Sequence, residues 1–239
     1  MKRIIMIIGV VLLISGMAWG EGDSRQKGKN RGNNSGSGNR NNRNEEYVSE
    51  DHLADYPLED LSAAEQDGIL LMREEEKLAR DVYTALYDKW GLRIFDNISQ
   101  SEQNHTEAVK GLIERYSLSD PMETDRPGVF ENRELQELYD QLVARGSISL
   151  VDALKVGATI EDLDIFDLEN LLDKSDNQDV RIVFQNLVKG SRNHLRSFMK
   201  QLERNGGSYD AAYISHEYFT RILESGQEQG HISDPGFEF

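Results

Sequence analysis

ISQSEQNHTEAVKGLIERY, residues 98–116, carries a polar pair inside an apolar helical stripe. Ile98, Glu102, His105, Val109, Leu112 and Tyr116 follow one another at intervals of 4, 3, 4, 3 and 4, which is one face of a single helix. Such a face packs against other helices. A carboxylate and an imidazole buried on it cost several kcal/mol, about 2–7 for each uncompensated polar group. A metal ion compensates both at once. Glu-x-x-His sets one oxygen and one nitrogen ligand a turn apart, pointing the same way.

The same interruption recurs on three further helices. Ile69, Met72, Glu76, Ala79, Tyr83, Leu86 and Trp90 form one face, with Glu76 inside it. Glu75 offers an alternative on the neighbouring face, alongside Leu71, Leu78 and Val82. Leu154, Gly157, Glu161, Asp164, Leu168 and Leu171 place two acids on a third stripe. Val180, Phe184, Leu187, Ser191, His194 and Phe198 place one histidine on a fourth. Taken singly, Glu76 belongs to a charge run of the kind that usually faces solvent. Glu161 and Asp164 can equally form a solvated patch. A lone His194 is most often a hydrogen-bonded core residue. Four stripes interrupted in the same way point to one shared polar centre, either a metal site or a fully satisfied polar network.

The helices are delimited by local signals. Ser62-Ala63-Ala64-Glu65 is a capping box that opens a helix running to Trp90, with Gly91 as its C′ residue. Further helices are expected over about 95–116, 131–145, 149–172, 179–204 and 215–223. Asp120-Pro121 and Arg126-Pro127-Gly128 break the chain between the second and third. No strand-like alternation is sustained, so the fold class is all-α. Four long helices with a long link after the second suggest a four-helix bundle with a crossover connection, the short helix lying in the link. The alternative is an up-down bundle whose extra helix caps one end.

Composition bounds the rest. Lys2 and Arg3 precede the apolar run Ile4–Ile14 and an Ala18-x-Gly20 motif, the pattern of a secretory signal peptide over residues 1–20, cut before Glu21. The expected destination is a periplasm or the cell exterior, with no stable membrane span after cleavage. Residues 21–46 are a basic Gly/Asn-rich linker without the apolar content to order itself. The helical domain is expected over 47–225, and the tail 226–239 is expected to be loose. The chain has no cysteine, which excludes disulfides, thiolate ligands and iron–sulfur clusters. Any metal must be held by carboxylates and histidines. A net charge of −16 argues against nucleic acid as a partner and is compatible with attracting cations. Phosphate-binding loops, serine-nucleophile elbows and His-Glu-x-x-His motifs are absent from the sequence. His52, His216 and His231 are assigned no role.

Glu76-Lys77-Leu78-Ala79-Arg80-Asp81-Val82-Tyr83 resembles the first helix of rubrerythrin- and ferritin-like proteins, Ser101-Glu102-Gln103-Asn104-His105 their second, and Gly157-Ala158-Thr159-Ile160-Glu161 the start of their third ligand helix. Ser191-Arg192-Asn193-His194 resembles the fourth, which normally reads Glu-x-x-His. The nearer resemblance is to an uncharacterised prokaryotic set within that superfamily, domain-of-unknown-function family 2202, over about residues 53–224. It implies a ferritin-like bundle with a carboxylate-bridged two-metal centre, most often iron, with manganese compatible with the same ligands. Glu76, Glu102, His105, Glu161 and His194 would be the ligands. Ser191 stands where a fourth glutamate is expected, and Asp164 could supply the missing oxygen. The implied activity is oxidase or peroxidase chemistry on O2 or peroxide, in iron handling or oxidative stress, with no assigned catalytic residue. Tyr83 is either a core residue or a partner of a ligand carboxylate. A storage shell or other homo-oligomer is an analogy only. The rival readings are a non-catalytic module binding one ion and a structural bundle that has lost its metal.

Overall fold

The computed structural model describes residues 53–122 and 124–239; the expected signal peptide, the linker and His52 lie outside the described residues. Six helices of nine residues or more follow in order: α1 (Ala63–Trp90), α2 (Arg93–Arg115), α3 (Arg133–Gly146), α4 (Leu150–Leu172), α5 (Gln178–Arg204) and α6 (His216–Glu224). No strand occurs among the described residues, so the chain is all-α.

The helix boundaries follow from their caps. Ser62 accepts from the backbone N–H of Glu65, and the Glu65 carboxylate accepts from the backbone N–H of Ser62, which completes the capping box at α1. Each such cap is worth about 1 kcal/mol. Gly91 ends α1 at φ 63°, a left-handed conformation that a Cβ would strain. Ser149 caps α4 and Ser215 caps α6 in the same manner as Ser62.

The four long helices pack as a bundle of two pairs. α1 lies against α2 and α4 against α5, while α1 also meets α4 and α2 meets α5. Contacts give the directions. A Cβ on Gly68 would strike Leu171, and Tyr83 bonds Glu161, so α1 and α4 are antiparallel. Arg115 pairs with Asp179 and Ser101 with His194, so α2 and α5 are antiparallel.

The connection after α2 climbs alongside α1. Asp120 pairs with Arg73, Asp125 with Arg80, and the Arg126 and Val129 carbonyls accept from Lys77. Beyond it α3 packs on α1 and α4. The apolar stripes face inward as expected: Met72, Tyr83, Leu112, Leu154, Phe184 and Phe198 are all fully buried.

The segment 226–239 contains no helix, and polar side chains of α5 bond to it along its length. Arg192 and Arg196 pair with Glu228, and Asn186 bonds the Ile232 carbonyl. Arg181 and Gln185 both donate to the Pro235 carbonyl. The Phe239 ring lies 4.1 Å from the Arg192 guanidinium.

Candidate metal centre

Glu76 of α1, Glu102 and His105 of α2, Glu161 of α4 and His194 of α5 meet between the four long helices. Each is nine-tenths or more buried, the carboxylates almost wholly. They form two groups of three that share Glu102: Glu76, Glu102 and His105, and Glu102, Glu161 and His194. Within each group one donor atom from every residue lies within 4.8 Å of the others. Glu102 presents Oε2 to His105 Nδ1 at 2.7 Å and Oε1 to His194 Nδ1 at 2.9 Å. His105 Nδ1 lies 3.1 Å from Glu76 Oε2, and His194 Nδ1 lies 3.4 Å from Glu161 Oε2. The two imidazoles face one another with centroids 5.5 Å apart.

The polar atoms satisfy one another only in part: His105 Nδ1 and Glu76 Oε2 are hydrogen-bonded, but other atoms of the cluster are not. Glu76 Oε1, Glu102 Oε1 and His194 Nδ1 are buried and make no hydrogen bond. Glu102 Oε1 and His194 Nδ1 approach closely, yet they do not point at each other as donor and acceptor. Each buried, unsatisfied group costs about 1–3 kcal/mol. Among the described residues, no lysine or arginine pairs with Glu76, Glu102 or Glu161. The basic side chains of α1, Arg73, Lys77 and Arg80, point away to the loop after α2. A cation in each three-donor group would compensate the buried donors gathered there. Carboxylate oxygens and imidazole nitrogens without sulfur suit iron or manganese, so the residues present fit the metal that the resemblance implies.

Without a metal, protons do the compensating. Burial would lower His105, but Glu76 and Glu102 raise it well above the usual histidine range. His194 is raised likewise by Glu102 and Glu161. Burial would raise Glu102, but His194 and then His105 hold it well below the usual carboxylate range. Glu76 is raised by burial and by Asp164, and Glu161 is pushed up to about 7 by burial and by Glu102. Loading a cation must therefore expel protons.

A second layer orients the donors. Tyr83 is fully buried and donates to Glu161 Oε1 at 2.6 Å, so it is a core residue whose hydroxyl is satisfied by a candidate ligand carboxylate. Its ring stands 5.4 Å from Phe198 and 6.4 Å from Phe95, and the three close the adjacent part of the core. Ser101 Oγ and His194 Nε2 are hydrogen-bonded at 3.0 Å. A Cβ on Gly190 would lie 2.5 Å from His105 Nε2, so glycine at that point of α5 makes room for the ring.

Two acids stand differently. Asp164 lies outside both groups of three. Ser191 Oγ donates to its Oδ2 at 2.5 Å, and burial with Glu161 nearby pushes Asp164 up to about 8. Glu75 is buried as well as Glu76, but it belongs to neither group. Ser101 and Gly190 escaped sequence reasoning. Ser101 directly precedes Glu102, but its partner is 93 residues away. Gly190 offered only a glycine in mid-helix.

Residues 65–226 match the family model described as an uncharacterized protein domain, DUF2202. The chain belongs to the DUF2202 family. The family match spans every candidate ligand, from Glu76 to His194. Uncharacterized protein MJ0754 of Methanocaldococcus jannaschii is 52% identical over 180 residues, covering 75% of this chain and 97% of the relative. The crystal structure of hypothetical protein MJ0754 from that organism is similar at a TM-score of 0.71 and 53% identity, over 72% of this chain and 98% of that one. No helix among the described residues of this DUF2202 chain is long and apolar enough to cross a membrane.

Proposed function

We propose that this protein is a ferritin-like four-helix bundle holding two metal ions, iron foremost, and that it acts as an exported oxidase or peroxidase in iron handling or oxidative stress. The observation that carries this reading is Glu102. It turns one oxygen toward each of two three-donor groups, which is the disposition of a bridging carboxylate. Bound iron would supply electrons to O2 or peroxide. The chain supplies everything else. His105 and His194 each offer Nδ1, and Nε2 of His194 then keeps its proton and donates to Ser101. Tyr83 holds Glu161 in orientation through Oε1, leaving Oε2 toward the centre. Tyr83, Phe95 and Phe198 keep water from that part of the centre.

Charge supports two ions rather than one. Glu76, Glu102 and Glu161 bring three negative charges once ionised, more than one divalent ion neutralises. Asp164 reaches the ions through their field, held in place by Ser191. The same Ser191–Asp164 bond favours a second reading in which only the Glu76, Glu102 and His105 group binds tightly, as a single-ion module without turnover.

Metal content per chain after anaerobic Fe(II) loading separates the readings, with His105→Ala in parallel. Two irons per chain, lost in the variant, support the di-metal centre. Peroxide consumption by the loaded protein then tests the activity. One iron favours the module, and none in either protein overturns both. Export is tested by expressing the full chain in a bacterium and sequencing the N-terminus of the periplasmic product, which is expected to begin at Glu21.

A further inference from the structure

We propose that Glu75, with Asp164 and Asp167 of α4, forms a carboxylate path that admits hydrated divalent cations from solvent to the Glu76–Glu102–Glu161 centre. This inference rests on the metal reading above and adds to it the route by which the centre fills.

The first observation is Glu75 itself. Its exposure is 9%, both of its oxygens are shielded from solvent, and neither makes a hydrogen bond. A carboxyl of that kind costs stability wherever a leucine would fit. Ligation to the centre does not explain it, because it belongs to neither three-donor group. The antiparallel register of α1 and α4, fixed by Gly68 against Leu171 and Tyr83 against Glu161, sets Glu75 level with the turn of α4 that carries Asp164 and Asp167.

The second observation is the spacing on α4. Glu161, Asp164 and Asp167 recur every third residue, so each step rises about 4.5 Å and turns about 60° around the helix, which winds the row away from the inward face. Exposure grows along that climb. Glu161 is 1% exposed, whereas Asp164 and Asp167 are half-buried. Asp164 is in turn the charge that acts most strongly on Glu76. Glu75 thus stands opposite the outer part of an acidic ladder whose inner end is a candidate ligand.

The third observation is that the centre needs an opening. Tyr83, Phe95 and Phe198 are fully buried and close it on one side. A cation in transit keeps part of its water shell and must not be held tightly. Carboxylates that stand near one another without converging into a three-donor group meet that requirement.

The test follows Co(II) uptake by the full chain under argon, using stopped-flow visible absorbance for rate and elemental analysis for the final number of ions. Glu75→Gln and Asp167→Asn keep side-chain shape and remove one charge each. Glu203→Gln removes an exposed charge elsewhere as a control for general attraction. Thermal melts establish that the variants are folded. Uptake at least about tenfold slower in Glu75→Gln and Asp167→Asn, with the wild-type number of ions at equilibrium and Glu203→Gln unaffected, is the expected result. Wild-type rates in both path variants overturn the path and leave the centre standing. Loss of an ion from Glu75→Gln at equilibrium overturns it also, because Glu75 is then a ligand. Equal slowing by Glu203→Gln reduces the effect to overall charge and overturns it. A wild-type chain that takes up no Co(II) overturns the centre and the path together.

Discussion

Two sets of buried carboxylates share this bundle and could hardly be more differently treated. Asp162 accepts from the Tyr209 hydroxyl and from the backbone N–H groups of Ala212, Tyr213 and Ile214. Asp179 takes Arg115, the Tyr116 hydroxyl and the N–H of Val180. Glu65 takes Ser62 together with the N–H groups of Asp176 and Asn177. A few helical turns away, Glu75, Glu76 and Glu102 are also buried, and each carries at least one oxygen with no hydrogen-bond partner. Burial is therefore common to both sets and distinguishes nothing. Satisfaction distinguishes them: the first set holds loops onto helices, and the second is left with unpaired oxygens, which is what the proposed metal centre would use.

The contrast can be broken most forcefully at its structural end. Asp162→Ala leaves three backbone donors and a phenol without an acceptor, so unfolding free energy should fall by about 3–4 kcal/mol. Chemical denaturation measures the loss, and metal content of the folded fraction should not change. At the other end, saturating Mn(II) should stabilise the wild type, by about 2.7 kcal/mol at a hundredfold excess over Kd. That corresponds to a rise in Tm of roughly 5–10 °C. Glu102→Ala removes the donor common to both groups, so its Tm should not respond to Mn(II). A response of wild-type size there would dissolve the distinction.

Acidity sharpens the contrast further. Glu161, pushed up to about 7, and Asp164, pushed up to about 8, bind protons more tightly in the folded chain than in the unfolded one. Their contribution is fully present below the unfolded carboxylate range and is lost as pH rises through 7 and 8. Metal-free protein in chelator should thus lose about 4 kcal/mol between pH 6 and pH 9, seen as a lower Tm. Metal affinity should move oppositely and rise over the same range, since protons and cations compete for the donors. The smallest effect belongs to Ser191→Ala. It removes one hydrogen bond to Asp164 and should cost about 1 kcal/mol while leaving the number of bound ions unchanged. A drop in ion number would move Ser191 from support to ligation.

Much of the centre was readable in one dimension because helical periodicity projects three-dimensional faces onto the chain. Glu76, Glu102, His105, Glu161 and His194 each interrupt an apolar stripe, and all five meet. Periodicity is blind to what lies between stripes. It could not choose between Glu75 and Glu76, since adjacent residues differ by only about 100° around a helix and both prove buried. It placed Asp164 on the ligand face, where one turn along the axis was enough to hand it to Ser191 instead.

Sequence alone determined the helices, their caps and the polar residues on each inward face, because 3.6-residue repeats and capping chemistry are local. Tertiary structure decided that Glu102 serves both donor groups, that Tyr83 holds Glu161, that Gly190 admits the His105 ring, and that the tail after residue 225 lies along α5. Each of those depends on which atoms of distant segments approach within about 3 Å, a distance set by the packing of whole helices.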